Sequence, residues 1–310
     1  IKVLTVLSTF SYFVCLNYLM GFTIKELETL SGIKAHTIRI WEQRYNFLKP
    51  SRTATNIRTY SNEELKTILT VALLNKHGYK ISKIDTMAPE QRYQEVLSLS
   101  TEEAQNEHIV NELIGCMIDL DIRRFESLLN ECIQRVGIET SIKTIIFLFL
   151  EKIGILWQTG RINPAHEHIV SNIIRQKLVA AIEAIPFPQQ DKPLFLLLLP
   201  EDEHHELGLL FVYYLLKQKS LPVIYLGANV PLKDAQYVIR LKLPEYIYIH
   251  LTVTPSKASF QKFLQGLTSA NPAGRVVLSG QMVESVKKDA NGQLLPLQTL
   301  SQVITYITSF

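Results

Sequence analysis

The sequence predicts a multidomain α and α/β protein with a helix-turn-helix head, a four-helix bundle and a doubly wound parallel sheet of Rossmann or flavodoxin type. Three observations predict it: capping boxes between residues 23 and 64, apolar positions with a period of about 3.6 from 105 to 185, and strands alternating with helices after 192. The chain has 310 residues, 47% hydrophobic and 20% charged. This composition suits packed domains and excludes disordered and collagen-like proteins.

The cysteine content indicates a reducing compartment. The three cysteines, Cys15, Cys116 and Cys132, are an odd number and show no C-x-x-C spacing. This pattern argues against structural zinc and against a redox dithiol. We therefore expect a cytoplasmic protein.

Residues 1–20 form an almost uncharged stretch in which Lys2 is the only charged residue. The stretch is short for a membrane span, is interrupted by polar residues and lacks an A-x-A-like cleavage site. We expect an extension outside the folded domains, a natural start at Met20 and no association with a membrane. An anchored regulator is the alternative.

Two short helices around a glycine-containing turn predict a helix-turn-helix in the first domain, residues 21–90. A capping box from Thr23 to Glu26 opens the first helix, and the second runs from about Lys34 to Tyr45. Residues 21–85 carry eleven Lys and Arg against six Asp and Glu. A basic surface of this kind suits a phosphate backbone, although a solvated helical face is the alternative.

The string Ile38–Tyr45, followed by Pro50, Arg52 and the run Arg58-Thr59-Tyr60-Ser61, resembles the winged helix-turn-helix of MerR-type transcriptional regulators. The resemblance implies that the second helix enters the major groove of double-stranded operator DNA and that a wing from about Pro50 to Tyr60 grips the flanking backbone. The DNA contacts that it implies are Thr37, Arg39, Arg44, Arg52, Arg58 and Tyr60.

The middle domain, residues 91–187, is predicted to be a helical bundle. The polar segment 86–107 is interpreted as a linker or the start of a helix, and four helices are expected at about 105–119, 121–135, 138–158 and 164–185. Trp157 is followed ten residues later by Glu167 and His168. This arrangement resembles the helical cap over the upper face of cobalamin in cobalamin-binding regulators, which implies that these three residues contact the cofactor.

The C-terminal domain, residues 188–310, alternates strands with helices, and its first strand ends in the loop Glu203-His204-His205-Glu206-Leu207-Gly208. Ligands of doubly wound sheets bind at such strand ends. The His/Glu loop has three interpretations: a solvated loop, a zinc site, or a softer metal on His205 with Glu203 holding the other ring nitrogen. Gly208 would let a bulky planar ligand approach the backbone.

The loop resembles the D-x-H-x-x-G signature of cobalamin-binding domains, with Glu203 in the Asp place. The resemblance implies that His205 is an axial ligand of cobalt. The S-x-L and Gly-Gly elements of that family, which line the slot for the nucleotide tail, correspond by offset to His250-Leu251-Thr252 and Ser279-Gly280. The imidazole of His250 and the Cβ of Ser279 are larger than the groups they replace, so we expect them to narrow that slot. The cofactor contacts implied in this domain are Glu203, His205, Gly208, His250, Thr252, Ser279 and Gly280.

The order of head, cap and tail resembles the CarH-like, light-responsive, adenosylcobalamin-dependent repressors. That family implies a homo-oligomer, a dimer or tetramer, whose assembly and DNA affinity depend on the cofactor. One alternative is a regulator of the same architecture that has lost cobalamin and uses the tail for protein contacts. Another is a corrinoid carrier of a methyltransferase or mutase. No nucleophile and base pair, Walker loop or dinucleotide fingerprint is found in the sequence, so we do not expect an enzyme.

Overall fold

The computed structural model describes residues 21–158, 163–186, 191–252, 257–280, 283 and 292–310. The chain forms two compact units that divide between Val170 and Ser171. The expected extension over residues 1–20 lies outside the described residues. Among the described helices, none combines the length and apolarity that a membrane crossing requires.

The head is built from the two predicted helices and a short wing. Glu26 Oε2 accepts a hydrogen bond from Thr23 N at 2.6 Å, which completes the first capping box, and Gly32, with φ +73°, ends the helix that follows. Ile38 and Trp41 are buried. The elements are α1 (Ile24–Ser31), α2 (Ala35–Arg44), the antiparallel pair β1 (Ser51–Arg52) and β2 (Arg58–Thr59), and α3 (Asn62–Lys76).

The segment 86–107, which the sequence suggests is a linker or the start of a helix, contains a complete helix in the structure, Pro89–Leu97. Pro89 opens a helix, Val96 is buried, and Arg92 Nε donates to the carbonyl of Ile84 at 3.0 Å. These contacts fold a segment whose polar composition resembles that of a linker. The helices are α4 (Ile81–Thr86), α5 (Pro89–Leu97), α6 (Glu102–Asp119), α7 (Ile122–Ser141), a π-helical turn (Ile142–Ile146), α8 (Phe147–Gln158) and α9 (Pro164–Glu183).

The head and the following helices pack together within the N-terminal unit, with α3 lying against α6. Lys66 pairs with Asp119 and with Glu63, and Lys76 Nζ lies 2.6 Å from Glu107 Oε2. The compact unit therefore continues past residue 90, the first domain boundary that the sequence predicts. The boundaries at 90 and 187 stay predictions.

The C-terminal unit contains a five-stranded, fully parallel sheet, which confirms the predicted α/β architecture. The strand order is β4-β3-β5-β6-β7, the flavodoxin-like order 2-1-3-4-5. Helices α10 and α13 contact each other, as do α11 and α12. The elements are β3 (Phe195–Pro200), α10 (Leu207–Gln218), β4 (Val223–Val230), α11 (Leu232–Lys242), β5 (Tyr246–His250), α12 (Lys257–Ala270), β6 (Arg275–Ser279), β7 (Leu294–Leu297) and α13 (Leu300–Thr308).

The order of the strands reverses between β3 and β5, because the chain leaves β3 for β4 on one side and continues from β5 on the other. Such a switch point opens a crevice at the carboxyl ends of the two strands. The His/Glu loop follows β3, and His250 ends β5. The topology therefore brings the His/Glu loop and His250, which are both predicted cofactor contacts, to the same edge of the sheet.

Candidate functional site

His205 and Glu203 form a close pair in the loop after β3. His205 Nδ1 lies 2.7 Å from Glu203 Oε1, and the same oxygen accepts the backbone N–H of His205 at 2.9 Å. The Glu203 carboxylate is buried, whereas the imidazole of His205 is 54% exposed. A carboxylate that accepts the Nδ1 proton fixes the tautomer with its lone pair on Nε2, which is the form that ligates a metal.

The same carboxylate ties the loop to the ends of two neighbouring strands. Glu203 Oε2 accepts the backbone N–H of Thr252, just after β5, at 3.0 Å. The carbonyl of Glu203 accepts the N–H of Asn229, near the end of β4, at 3.0 Å. These bonds orient Glu203, and through it His205, so the loop is arranged before any ligand binds. The contribution of Thr252 is its backbone N–H.

A second histidine fills the space beside Gly208. A Cβ atom at Gly208 would lie 2.3 Å from His250 Nε2, so only glycine lets the imidazole lie there. His250 Nδ1 is 2.9 Å from the hydroxyl of buried Ser279. Burial lowers the pKa of His250 to about 4, and the nearby Glu203 carboxylate opposes this only in part, so the ring is neutral at pH 7.

Gly280 is required by the backbone at the end of β6. Its φ is +101°, and a Cβ there would lie 2.1 Å from the carbonyl oxygen of Leu251. The structure therefore brings Gly208, His250, Ser279 and Gly280 together, as the offsets predict. In this structure, the group that lies against Gly208 is the imidazole of His250.

A further ion pair adjoins the His205 loop. The Glu206 carboxylate accepts hydrogen bonds from Arg175 Nε of α9 and, at 3.1 Å, from the hydroxyl of Tyr225. Burial and the Glu206 charge raise the pKa of Tyr225, whose ring stacks on Tyr213 with centroids 5.1 Å apart. No motif in the sequence indicates this cluster, since Arg175 and Glu206 are 31 residues apart in the chain.

The predicted cap residues are described in part. Glu167 and His168 lie in the first turns of α9, where His168 Nδ1 is 3.1 Å from Glu167 Oε2 and the His168 side chain is 72% exposed. The side chain of Trp157 lies outside the described part of the structure. Contact of these three residues with a cofactor stays a prediction.

Four of the predicted DNA contacts lie on the surface of the head. Arg39 and Arg44 are exposed on α2, and Thr37 is partly exposed on the same helix. Arg52 is exposed on the wing, where its Nη1 donates to Asn56 Oδ1 at 2.8 Å. Exposed guanidinium groups on a helix and a wing are available to phosphate oxygens and base edges.

The other two predicted contacts, Arg58 and Tyr60, face into the head. Arg58 Nε lies 2.7 Å from Glu42 Oε2, and its side chain is 23% exposed. Tyr60 is fully buried, donates to Glu42 Oε2 at 3.4 Å, and has a pKa raised to about 12 by burial and by the Glu42 charge. The prediction that the Tyr60 side chain contacts DNA is wrong, because it belongs to the core. Arg58 joins the wing to α2, and its DNA contact stays a prediction.

Comparisons with protein families identify two regions of the chain. Residues 22–91 match the MerR HTH family regulatory protein domain, and residues 109–181 match a B12 binding domain. The second match covers much of the helical region and ends before the parallel sheet begins. The head and the helical region are thus each assigned to a known domain type.

Two curated relatives are similar along most of the chain. The HTH-type transcriptional repressor CarH of Myxococcus xanthus is 26% identical over 257 residues, which are 81% of this chain and 85% of the relative. The HTH-type transcriptional repressor CarA of the same organism is 27% identical over 267 residues, covering 84% and 87%. The similarity therefore extends beyond the two matched domains.

A solved structure has a related fold. The monomethylamine corrinoid protein of Methanosarcina barkeri superimposes with a TM-score of 0.53 at 12% identity, covering 66% of this chain and 100% of that chain. At this identity the likeness concerns the fold alone. It agrees with the helices and the five-stranded parallel sheet described above.

Proposed function

Because this chain joins a MerR HTH domain to a B12 binding domain and is homologous to the CarH and CarA repressors, we propose that it represses transcription under the control of bound adenosylcobalamin. Its head binds operator DNA in the cytoplasm, and its C-terminal part holds the cofactor. The observation that carries the proposal is the pair of His205 and buried Glu203 at the switch point of the sheet.

The residues around His205 suit a metal in the middle of a large planar ligand. The half-exposed imidazole has its Nδ1 held by a carboxylate, an arrangement typical of histidines that ligate metals. Glu203 is in turn fixed by Thr252 N and His205 N. We propose that His205 Nε2 ligates cobalt and that Glu203 sets the tautomer and increases the basicity of the ring. Arg175 and Tyr225 hold Glu206, the residue that follows His205, by hydrogen bonds to its carboxylate.

The space beside Gly208 suits the cofactor less well. His250 lies where a ligand would approach Gly208, and it is hydrogen-bonded to Ser279. A ligand that uses this space requires the imidazole to turn away, with loss of that hydrogen bond. We propose that His250 weakens the binding of the nucleotide tail and leaves ligation by His205 unaffected.

Control of DNA binding requires that the cofactor prefer one state of the protein. When bound, adenosylcobalamin supplies a cobalt–carbon bond that light can break. We propose that Trp157, Glu167 and His168 contact the upper ligand, and that loaded chains assemble into oligomers. Several heads on one operator raise the apparent affinity by increasing the effective concentration. Arg39, Arg44 and Arg52 make the DNA contacts in each head.

A second candidate function is a regulator of the same architecture that no longer binds cobalamin. The observation that favours it is the imidazole of His250 against Gly208. In that case buried Glu203 and His205 would serve only to hold the loop after β3 against the ends of β4 and β5. A corrinoid carrier is disfavoured, because such a protein has no use for a MerR-type head.

The test compares DNA binding with and without the cofactor. The full chain is used to select duplexes from a random DNA pool, and their affinity is measured with adenosylcobalamin in darkness, after illumination, and without cofactor. We expect tight binding only with cofactor in darkness, and about tenfold weaker binding for Arg39→Ala. Arg123→Ala, an exposed arginine of α7, is the matched control. Equal DNA affinity in all three conditions would contradict cofactor control.

A further inference from the structure

The exposed surface of α2 carries a large apolar side chain among polar ones. Ile40 is 43% exposed. Its exposed neighbours one helical turn away, His36, Gln43 and Arg44, are polar or charged. Ile40 is therefore an apolar group in the middle of a polar surface.

Folding of the head does not account for an isoleucine at this position. With about 100° per residue, Ile40 projects about 160° from Ile38 and about 100° from Trp41, the two buried residues of α2. Much of its side chain stays in water, and a β-branched residue is a poorer helix former than alanine, arginine or glutamine. A straight-chain polar residue would suit α2 better, so the reason for Ile40 lies in a contact that the free head does not make.

The exposed large hydrophobic residues of the head lie on the two elements that carry proposed DNA contacts. Between residues 21 and 90, all of which the structure describes, they are Ile40 and Ile57. Ile57 is 56% exposed in the turn between β1 and β2, where its carbonyl accepts the N–H of Thr53 at 2.9 Å. Single exposed apolar residues are common on proteins, but both of these fall on the helix and the wing of a MerR HTH domain.

Two arginines lie on either side of Ile40 on the same helix. Arg39 precedes it, Arg44 follows one turn later, and both are exposed. Within the residues that the structure describes, neither arginine forms an ion pair. Guanidinium groups bind phosphate oxygens and guanine edges. When both bind DNA, they bring the side chain that projects between them, Ile40, against the bases.

The major groove offers one kind of apolar group to such a side chain. The second helix of a helix-turn-helix lies in that groove, where thymine alone among the four bases presents a 5-methyl group. The side chain of isoleucine can neither donate nor accept a hydrogen bond. Against a polar base edge it would displace water without replacing the hydrogen bonds of that water. Against a thymine methyl it buries apolar surface on both sides.

We infer that Ile40 determines specificity for thymine, because it packs against the 5-methyl group of a thymine in the major groove of the operator. The inference rests on the proposed binding of operator DNA by the head, and it adds the chemical group that α2 recognises. Arg39, Arg44 and Arg52 position the head on the duplex, and Ile40 selects the base.

The experiment removes the methyl group from the DNA. The full chain selects a duplex from a random pool in the cofactor condition that gives the tightest binding. Each thymine of this duplex is then replaced in turn by deoxyuridine, which lacks only the 5-methyl group. For each bound head we expect at least one position at which the replacement weakens binding by the wild-type chain about fourfold, the effect of one buried carbon group.

The matching change in the protein is Ile40→Ser. We expect this variant to bind the thymine duplex more weakly than the wild type does, and to bind the thymine and deoxyuridine duplexes equally within about 1.5-fold. Ile57→Ser, which removes the same side chain from the wing, is the matched control and should keep the wild-type difference between the two duplexes. Because both side chains are exposed, both variants should fold, which circular dichroism checks.

Three outcomes would overturn the inference. The first is a wild-type chain whose affinity is the same whichever thymine is replaced. The second is an Ile40→Ser variant that keeps the wild-type preference for thymine over deoxyuridine. The third is an Ile57→Ser variant that loses this preference to the same extent. A chain that selects no duplex contradicts the proposed function as well, whereas a preference for thymine that is equal with and without cofactor contradicts only cofactor control.

Discussion

Two histidines at the switch point of the sheet differ in what holds them. His205 is half exposed, and its Nδ1 lies against a buried carboxylate. His250 is mostly buried, its Nδ1 lies against the hydroxyl of Ser279, and its ring fills the space beside Gly208. A carboxylate partner and solvent access suit a metal ligand, whereas a hydroxyl partner and close packing suit a side chain that occupies space.

This difference divides the proposed cofactor site into two ends. The His205 end has the donor, the tautomer and the orienting bonds of a ligand, and the Gly208 end is filled by this chain's own side chain. We therefore expect substitutions of His205 and Glu203 at the first end to weaken cobalamin binding, and a smaller side chain in place of His250 at the second end to strengthen it.

The largest effect is expected for His205→Ala. Loss of the ligating nitrogen should weaken binding of cobalamin by about 100-fold or more. Substitution of a residue that only hydrogen-bonds a metal ligand already lowers metal affinity by about 10–100-fold. His204→Ala, the exposed neighbour, is the control and should bind as the wild type does. Titration followed by absorbance measures both variants. Equal affinities of the two variants would remove His205 from the site.

Glu203→Gln should have the next largest effect. The amide keeps much of the shape but lacks the charge that favours Nδ1–H on His205, so we expect about 10–100-fold weaker cobalamin binding. Thermal unfolding of the variant is the companion measurement, because Glu203 also accepts from Thr252 N. A variant that is stable and still binds with wild-type affinity would refute the orienting role.

Gly208→Ala should destabilise the protein without any cofactor. Its Cβ would meet His250 Nε2 at 2.3 Å, and overpacking of this kind costs about 1–3 kcal/mol of unfolding free energy. In a His250→Ser background the clash disappears, so the same substitution should then cost much less. A double-mutant cycle in urea measures the coupling. A cost that is equal in both backgrounds would mean that His250 does not lie against Gly208 in solution.

His250→Ser should open the slot and strengthen cobalamin binding about tenfold, the effect of one released contact of about 1.4 kcal/mol. Cobinamide, which lacks the nucleotide tail, serves as the control ligand. We expect its affinity to be unchanged by the substitution. An equal gain for both ligands would show that His250 hinders the corrin ring and not the tail.

The smallest effect is a pH dependence of stability. The pKa of His250 in the folded chain is about 4, below the value near 6.5 of a free histidine, so the unfolded chain binds more protons between these values. Stability is therefore complete above about pH 6.5 and falls as the pH approaches 4. We expect His250→Asn to abolish a loss of about 1 kcal/mol in unfolding free energy between pH 6.5 and about pH 5.5. Identical pH profiles would exclude His250 as its source.

Much of the fold follows from local sequence. The apolar run of β3 and the capping boxes of Thr23 and Ser61 determine elements that the structure confirms. The sequence leaves α5 open between a linker and the start of a helix, because its composition is polar and few of its residues are buried. Strand β7 and the helix α13 that follows it were not predicted either. Strand β7 has only four residues, one of them a proline, so its pattern is too short to indicate a strand.

The site is only partly visible in the sequence. The spacing of Glu203, His205 and Gly208 is local, and a motif reveals it. The fully buried position of Tyr60 and the ion pair of Glu42 with Arg58 depend on how the wing folds onto α2, which no spacing encodes. The offsets predict that His250 and Gly208 line one slot, but the direct packing of the imidazole against Gly208 depends on how the parallel sheet sets the two strand ends side by side.

The central claim is that His205 Nε2 ligates cobalt, and electron paramagnetic resonance of the Co(II) cofactor tests it most directly. The full chain is labelled with ¹⁵N-histidine and mixed with unlabelled cob(II)alamin. Ligation by His205 predicts cobalt lines split into two by the ¹⁵N nucleus, a splitting that His205→Ala abolishes and His204→Ala retains. Three-line splitting, which arises from the ¹⁴N of the cofactor's own base, or an unchanged spectrum of the free cofactor would contradict the claim.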